Sequence, residues 1–105
     1  MISEFLLAYK AIGEENAIAT RDITRALNIS KRNLAFKVLK ERTDGAPICA
    51  KSDGDGGYYM PATKEEIIHQ KNALESRIKK HALALRPFRR KLKEYKESEA
   101  KTNET

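Results

Sequence analysis

Between Thr20 and Thr43 the chain carries the residues for two short helices rather than one long one. Ile23, Ala26 and Leu27 form an apolar face at helical spacing, Thr20 stands at the N-cap position, and Asp22 lies near the positive end of the helix dipole. Asn28-Ile29 then interrupts the repeat, and Ser30 supplies a second cap. From Lys31 a further helix places Leu34 and Val38 on one face, with Lys, Arg or Asn over much of the rest. Asp44-Gly45 and Pro47 stop it. Two short helices joined by a three- or four-residue turn make a helix-turn-helix unit.

The flanking segments extend this unit. Upstream, Phe5, Leu6, Tyr9 and Ile12 recur at three and four residues, which predicts an amphipathic helix ended by Gly13. Asn16 to Ala19 is too short for a helix and reads as a brief extended segment. Downstream, Ile48-Cys49-Ala50 and Tyr58-Tyr59-Met60 flank Ser52-Asp53-Gly54-Asp55-Gly56-Gly57, a β-hairpin pattern with a projecting loop. Side chains alternate along a strand, so one of Tyr58 and Tyr59 is expected in the core and the other in solvent. Helix, short strand, helix, turn, helix, hairpin is the winged helix-turn-helix order, assigned here to residues 1–62.

Thr63 and Glu66 form a capping box that opens a long helix. Pro87 lacks an N–H and predicts a kink or break. Leu74, Ile78, His81, Leu85, Phe88, Leu92 and Tyr95 alternate at four and three residues, the heptad spacing, with His81 the one polar member. This seam in the 63–96 extension suits either dimerisation or folding back on its own domain. Residues 97–105 are polar and expected to be disordered. The expected fold class is therefore mainly α with a small β-hairpin, a winged helix-turn-helix followed by a long C-terminal helix kinked or broken near Pro87.

Charge separates the two parts. Residues 1–62 carry nine Lys/Arg and eight Asp/Glu, a net of +1, whereas residues 63–105 carry twelve and seven, a net of +5. Arg77 to Lys93 holds eight basic residues and no acid. Such an excess attracts polyanions. The longest apolar runs are far short of the ~18 residues that span a bilayer, and Met1-Ile2-Ser3-Glu4 has no basic signal-peptide region. A cytoplasmic location and no membrane partner are expected.

No catalytic centre, metal or cofactor is expected. Cys49 is the single cysteine, and His69 and His81 are too few for a zinc site. The glycines from Gly54 to Gly57 lack the Lys-Ser/Thr of a phosphate-binding loop, and Asp53 and Asp55 lack the final glutamate of a calcium loop.

The helix from Lys31 is the candidate reader of DNA. With Leu34 at the centre of its buried face, Arg32, Asn33, Phe36 and Lys40 turn outward and Lys37 sits at the boundary. Arg32 and Asn33 suit base edges, Arg to guanine and Asn to adenine, and Phe36 suits a thymine methyl or a packing contact. Ser30, Lys31, Lys37 and Lys40 suit phosphates. From Ser30 to Arg42 there are five basic residues and one acid, a net of +4. Lys51 is the only cation of the hairpin, whose acidic tip disfavours a DNA contact. Arg77 and Lys80 add backbone-contact candidates on the last helix.

Leu27-Asn28-Ile29-Ser30-Lys31-Arg32, Gly45-Ala46-Pro47-Ile48 and Gly57-Tyr58-Tyr59-Met60-Pro61 resemble the winged-helix class typified by the N-terminal domain of the biotin operon repressor. They are also similar to small winged-helix proteins of phages and prophages of Gram-positive bacteria. The resemblance covers roughly residues 2–75. It implies double-stranded DNA binding through the helix beginning at Lys31, in transcription regulation or replication initiation, with no biotin chemistry. A homodimer is the expected assembly. The alternatives are docking on a replication or transcription protein, and nonspecific nucleic-acid binding through the basic C-terminal helix.

Overall fold

The computed structural model describes residues 1–54 and 56–103, excepting the side chains of residues 101–103. The chain is mainly helical, with a three-stranded antiparallel sheet and a long C-terminal helix. It divides into two compact units, Met1–Lys71 and Asn72–Thr105.

Helix α1 (Ile2–Ala8) buries Ile2 and Leu6. Its first N–H groups have no partner within the helix, a cost if left unmet in the interior. Glu41, far along the chain, meets them. Its carboxylate accepts hydrogen bonds from the Ile2 N–H at 2.7 Å, the Ser3 N–H at 2.9 Å and the Ser3 hydroxyl at 2.8 Å. Burial pushes the Glu41 pKa up, but bonds from the Ser3 and Ile2 backbones and the nearby N-terminal ammonium outweigh it. They hold the group below its ordinary 4.5.

Helix α1 ends well before Gly13. Lys10 adopts a left-handed φ of 57°, and the Ala11 N–H closes the end by donating to the Leu6 carbonyl at 2.8 Å. Tyr9 and Ile12 therefore lie exposed, outside the helical face expected for them. Gly13, with φ of 90°, instead leads into a single 3-10 turn over Glu14–Asn16.

Strand β1 (Ile18–Ala19) runs directly into α2 (Thr20–Leu27). Ala19 is the N-cap, and Thr20 is a buried first helical residue rather than the cap. Of the expected inner face only Ile23 is buried; Ala26 and Leu27 are exposed. Asn28, left-handed at φ 51°, closes α2. After Ile29, Ser30 caps α3 (Lys31–Thr43) by accepting the Asn33 N–H at 3.0 Å. Leu34 and Val38 are buried as expected, and Glu41 joins them.

Strands β2 (Cys49–Lys51) and β3 (Gly57–Tyr59) form the expected hairpin, but β1 adds a third strand in the order β1-β3-β2. Ile18 lies opposite Tyr58 and Ala19 opposite Gly57. This pairing requires glycine at 57, since a Cβ there would stand 2.7 Å from the Ile18 carbonyl oxygen. Tyr59 is fully buried, while Tyr58 is half-buried against the core instead of standing in solvent. Ile2, Leu6, Ile23, Leu34, Val38 and Ile48 unite α1, α2, α3 and the start of the sheet in one core.

Helix α4 (Lys64–Asn103) opens with the capping box. The Thr63 hydroxyl accepts the Glu66 N–H at 3.2 Å, and the Glu66 carboxylate accepts from Thr63 at 3.3 Å and Ala62 at 2.8 Å. Glu66 also accepts the Glu14 N–H at 2.7 Å, and Gln70 accepts the Ala50 N–H at 2.9 Å. These bonds tie the first turns of α4 to the loops, within the compact unit Met1–Lys71.

Of the kink or break expected at Pro87, the break does not occur, and α4 continues through the proline. A proline removes one N–H donor and crowds one preceding carbonyl, a local cost of about 3 kcal/mol. Strong helix formers on both sides carry the helix onward. Residues 97–103, expected to be disordered, continue it as well. Glu97, Glu99, Ala100 and Lys101 favour helix, and extending a formed helix needs no new nucleus. Residues 104 and 105 lie outside the described residues. Among the described residues, no helix is long and apolar enough to cross a membrane.

Candidate nucleic-acid interface

Helix α3 packs against α1 and α2 through Leu34, Val38 and Glu41, which fixes which of its faces meets solvent. The 100° step per residue then sets the outward ridge as Arg32, Phe36 and Leu39, with Asn33, Lys37 and Lys40 along one flank. All six are exposed. Lys31 is exposed on the other flank.

The charge on this surface differs from the simple count. Arg42 turns back to donate from Nε to the Ile48 carbonyl at 2.9 Å, where it braces the entry to the sheet. Glu41, the one acid of the segment, points into the core. What α3 presents is Lys31, Arg32, Lys37 and Lys40, with no acid among the exposed residues from Lys31 to Lys40. Ser30 spends an oxygen lone pair on its cap and keeps its O–H as a donor.

Phe36 is 58% exposed, so a packing role that buries it within its own chain is not realised. The Arg32 guanidinium sits 5.7 Å from its ring centroid, close enough for a cation–π contact that limits the arginine's freedom. Leu39, 60% exposed beside Phe36, belongs to the same ridge. Sequence reasoning passed over it, although the same helical step that turns Phe36 outward turns Leu39 outward too.

The hairpin offers less. Lys51 is half-buried and lies 4.0 Å from Asp53, so its charge is partly matched locally. Asp55 lies outside the described residues. Arg77 and Lys80 are exposed on α4 in the second unit. Of the seam, Leu74 is half-buried, and Ile78, His81, Leu85, Phe88, Leu92 and Tyr95 are exposed.

Two buried groups of the sheet stay protonated at neutral pH. Burial, with Glu66 adding to it, pushes the Cys49 thiol up, and burial pushes the Tyr59 hydroxyl up to about 12. Among the described residues, no three His, Cys, Asp or Glu side chains gather as a metal site. No protein-family model matches this chain, and neither does any curated protein or solved structure.

Proposed function

We propose that the chain is a sequence-specific DNA-binding protein of the winged helix-turn-helix type, reading double-stranded DNA with α3. The observation that carries this reading is the exposed face of α3. Arg32 and Asn33 stand in its first turn beside a Ser30 cap, and no acid lies among the exposed residues from Lys31 to Lys40. A helix in this position after a three-residue turn enters the major groove by its N-terminal end. Arg32 and Asn33 then meet base edges, Phe36 meets a thymine methyl, and Ser30, Lys31, Lys37 and Lys40 hold phosphates. Lys51, Arg77 and Lys80 add backbone contacts, and the seam of α4 joins two copies on neighbouring half-sites. The role that fits the resemblance to phage and prophage winged-helix proteins is transcription regulation or replication initiation, within the cytoplasm.

Gel shifts on fragments of the source genome test this reading. Arg32→Ala and Asn33→Ala are expected to relax sequence preference at a cost of about 1–3 kcal/mol per lost base contact. Specific binding that survives both changes removes α3 as the reader.

The exposed pair Phe36 and Leu39 favours a second reading, docking of the α3 ridge on a replication or transcription protein. Absence of any DNA binding at low salt selects it. Binding that is salt-sensitive but indifferent to sequence selects instead a nonspecific role for the basic α4 helix.

A further inference from the structure

We infer that α4 pairs with a second copy of this chain in antiparallel orientation, with Ile78 against the partner's Tyr95, His81 against the partner's Leu92 and Leu85 against the partner's Phe88. The inference rests on the proposed role of α4 as the joint between two copies and adds its orientation and register.

The first support is the exposure of the seam on an unbroken helix. Ile78, His81, Ala82, Ala84, Leu85 and Phe88 line one open apolar depression in water. The four-three alternation is the period at which two helices interlock. The register above uses the six exposed seam residues in six layers. It leaves out only Leu74, which is already half-buried in the single chain.

Charge decides the orientation. Glu75 is the one acid between Asn72 and Lys93, and the positions flanking the seam are otherwise basic or small: Arg77, Ala82, Ala84, Arg89, Lys91 and Lys96. In a parallel pair each seam residue meets its own copy, so His81 faces His81, and Lys91 of each helix, its charge partly matched by Glu94 at 3.4 Å, flanks the partner's Lys96. No attractive flanking pair offsets this among those six positions. In the antiparallel register Glu75 meets the partner's Lys96, and Lys91 and Arg89 meet the partner's Ala84 and Ala82. No like-charge flanking pair remains. Sliding the helices by one heptad to bring Leu74 into the seam would set Arg77 against the partner's Lys91.

Full-length protein carrying Cys49→Ala and a single spin label at Ala73→Cys or Glu97→Cys tests this by pulsed-EPR distances. At a rise of 1.5 Å per residue the proposed register places the labels about 40 Å apart at 73 and about 30 Å apart at 97. Distances below about 20 Å at both positions mean a parallel pair and overturn the inference while leaving the dimer intact. Sedimentation supplies the second measurement. Glu75→Lys is expected to weaken association about fivefold to tenfold, and adding Lys96→Glu to restore it. Failure of that rescue overturns the pairing. A protein that sediments as a monomer at every micromolar concentration overturns both the inference and the dimer, and binding of that monomer to anionic vesicles would assign the seam to lipid. Neither result touches α3, whose role the gel shifts decide separately.

Discussion

Leu34 and Leu85 stand in similar local sequence, each on the apolar stripe of a helix with basic flanks, and they meet opposite fates. Leu34 has no exposed surface, whereas Leu85 keeps 47% of its own. In the first unit two other helices and a sheet converge on α3, so its stripe becomes core. The second unit is a single stretch of helix, and apart from half-buried Leu74 its described side chains are exposed. An amphipathic pattern states that a face needs cover but not what covers it. The first unit supplies the cover itself, and the second presents its face outward.

The largest expected effect breaks the first half of this comparison. Leu34→Ala should destabilise the first unit by about 2–5 kcal/mol, read from urea unfolding, because neighbours on several elements cannot collapse into the space. Residues 1–71 produced alone should unfold in one cooperative transition. A fragment without such a transition would show that the second unit contributes to the core.

Glu41→Gln comes next. It keeps the shape but weakens bonds to a charged acceptor that are worth about 1.5–3 kcal/mol each at most in net stability, so a loss of about 2 kcal/mol is expected at neutral pH. The folded pKa is depressed, so this stability is fully present above the ordinary 4.5 and disappears as pH falls through the lower folded value. The gap between wild type and variant should therefore close in acid, and a gap unchanged there would remove the capping role. Ser30→Ala should cost about 1 kcal/mol through loss of the α3 cap, seen as a lower unfolding midpoint. The smallest effect sharpens the second half. Leu85→Ala should shift the unfolding of the first unit by under about 0.5 kcal/mol while weakening self-association in sedimentation.

Local signals in the sequence marked what local chemistry decides. Ser30 and the Thr63–Glu66 box cap their helices, Leu34 and Val38 turn inward, and the hairpin forms between Cys49 and Tyr59. What escaped is non-local. Glu41 reads as one more surface acid on a basic helix, because its partners Ile2 and Ser3 lie 39 and 38 residues away. The short strand at Ile18–Ala19 was legible as an extended segment, but its pairing depends on Ile18 finding Tyr58, and Gly57 permits that only through the missing Cβ. The early end of α1 rests on Lys10 accepting a left-handed backbone, which no residue type there announces. Within the candidate interface, the outward set on α3 was legible from the 100° step. The inward turn of Arg42 was not, since the Ile48 carbonyl it binds is placed by the turn into the sheet.

The central claim is that α3 meets DNA by its first turns. Titration of isotope-labelled full-length protein with a bound DNA duplex, followed by amide NMR, tests it most directly. The account predicts the largest shifts from Ser30 to Lys40, with those at Arg32 and Asn33 changing when the duplex sequence changes. Shifts confined to α4, or identical for every duplex, would contradict it.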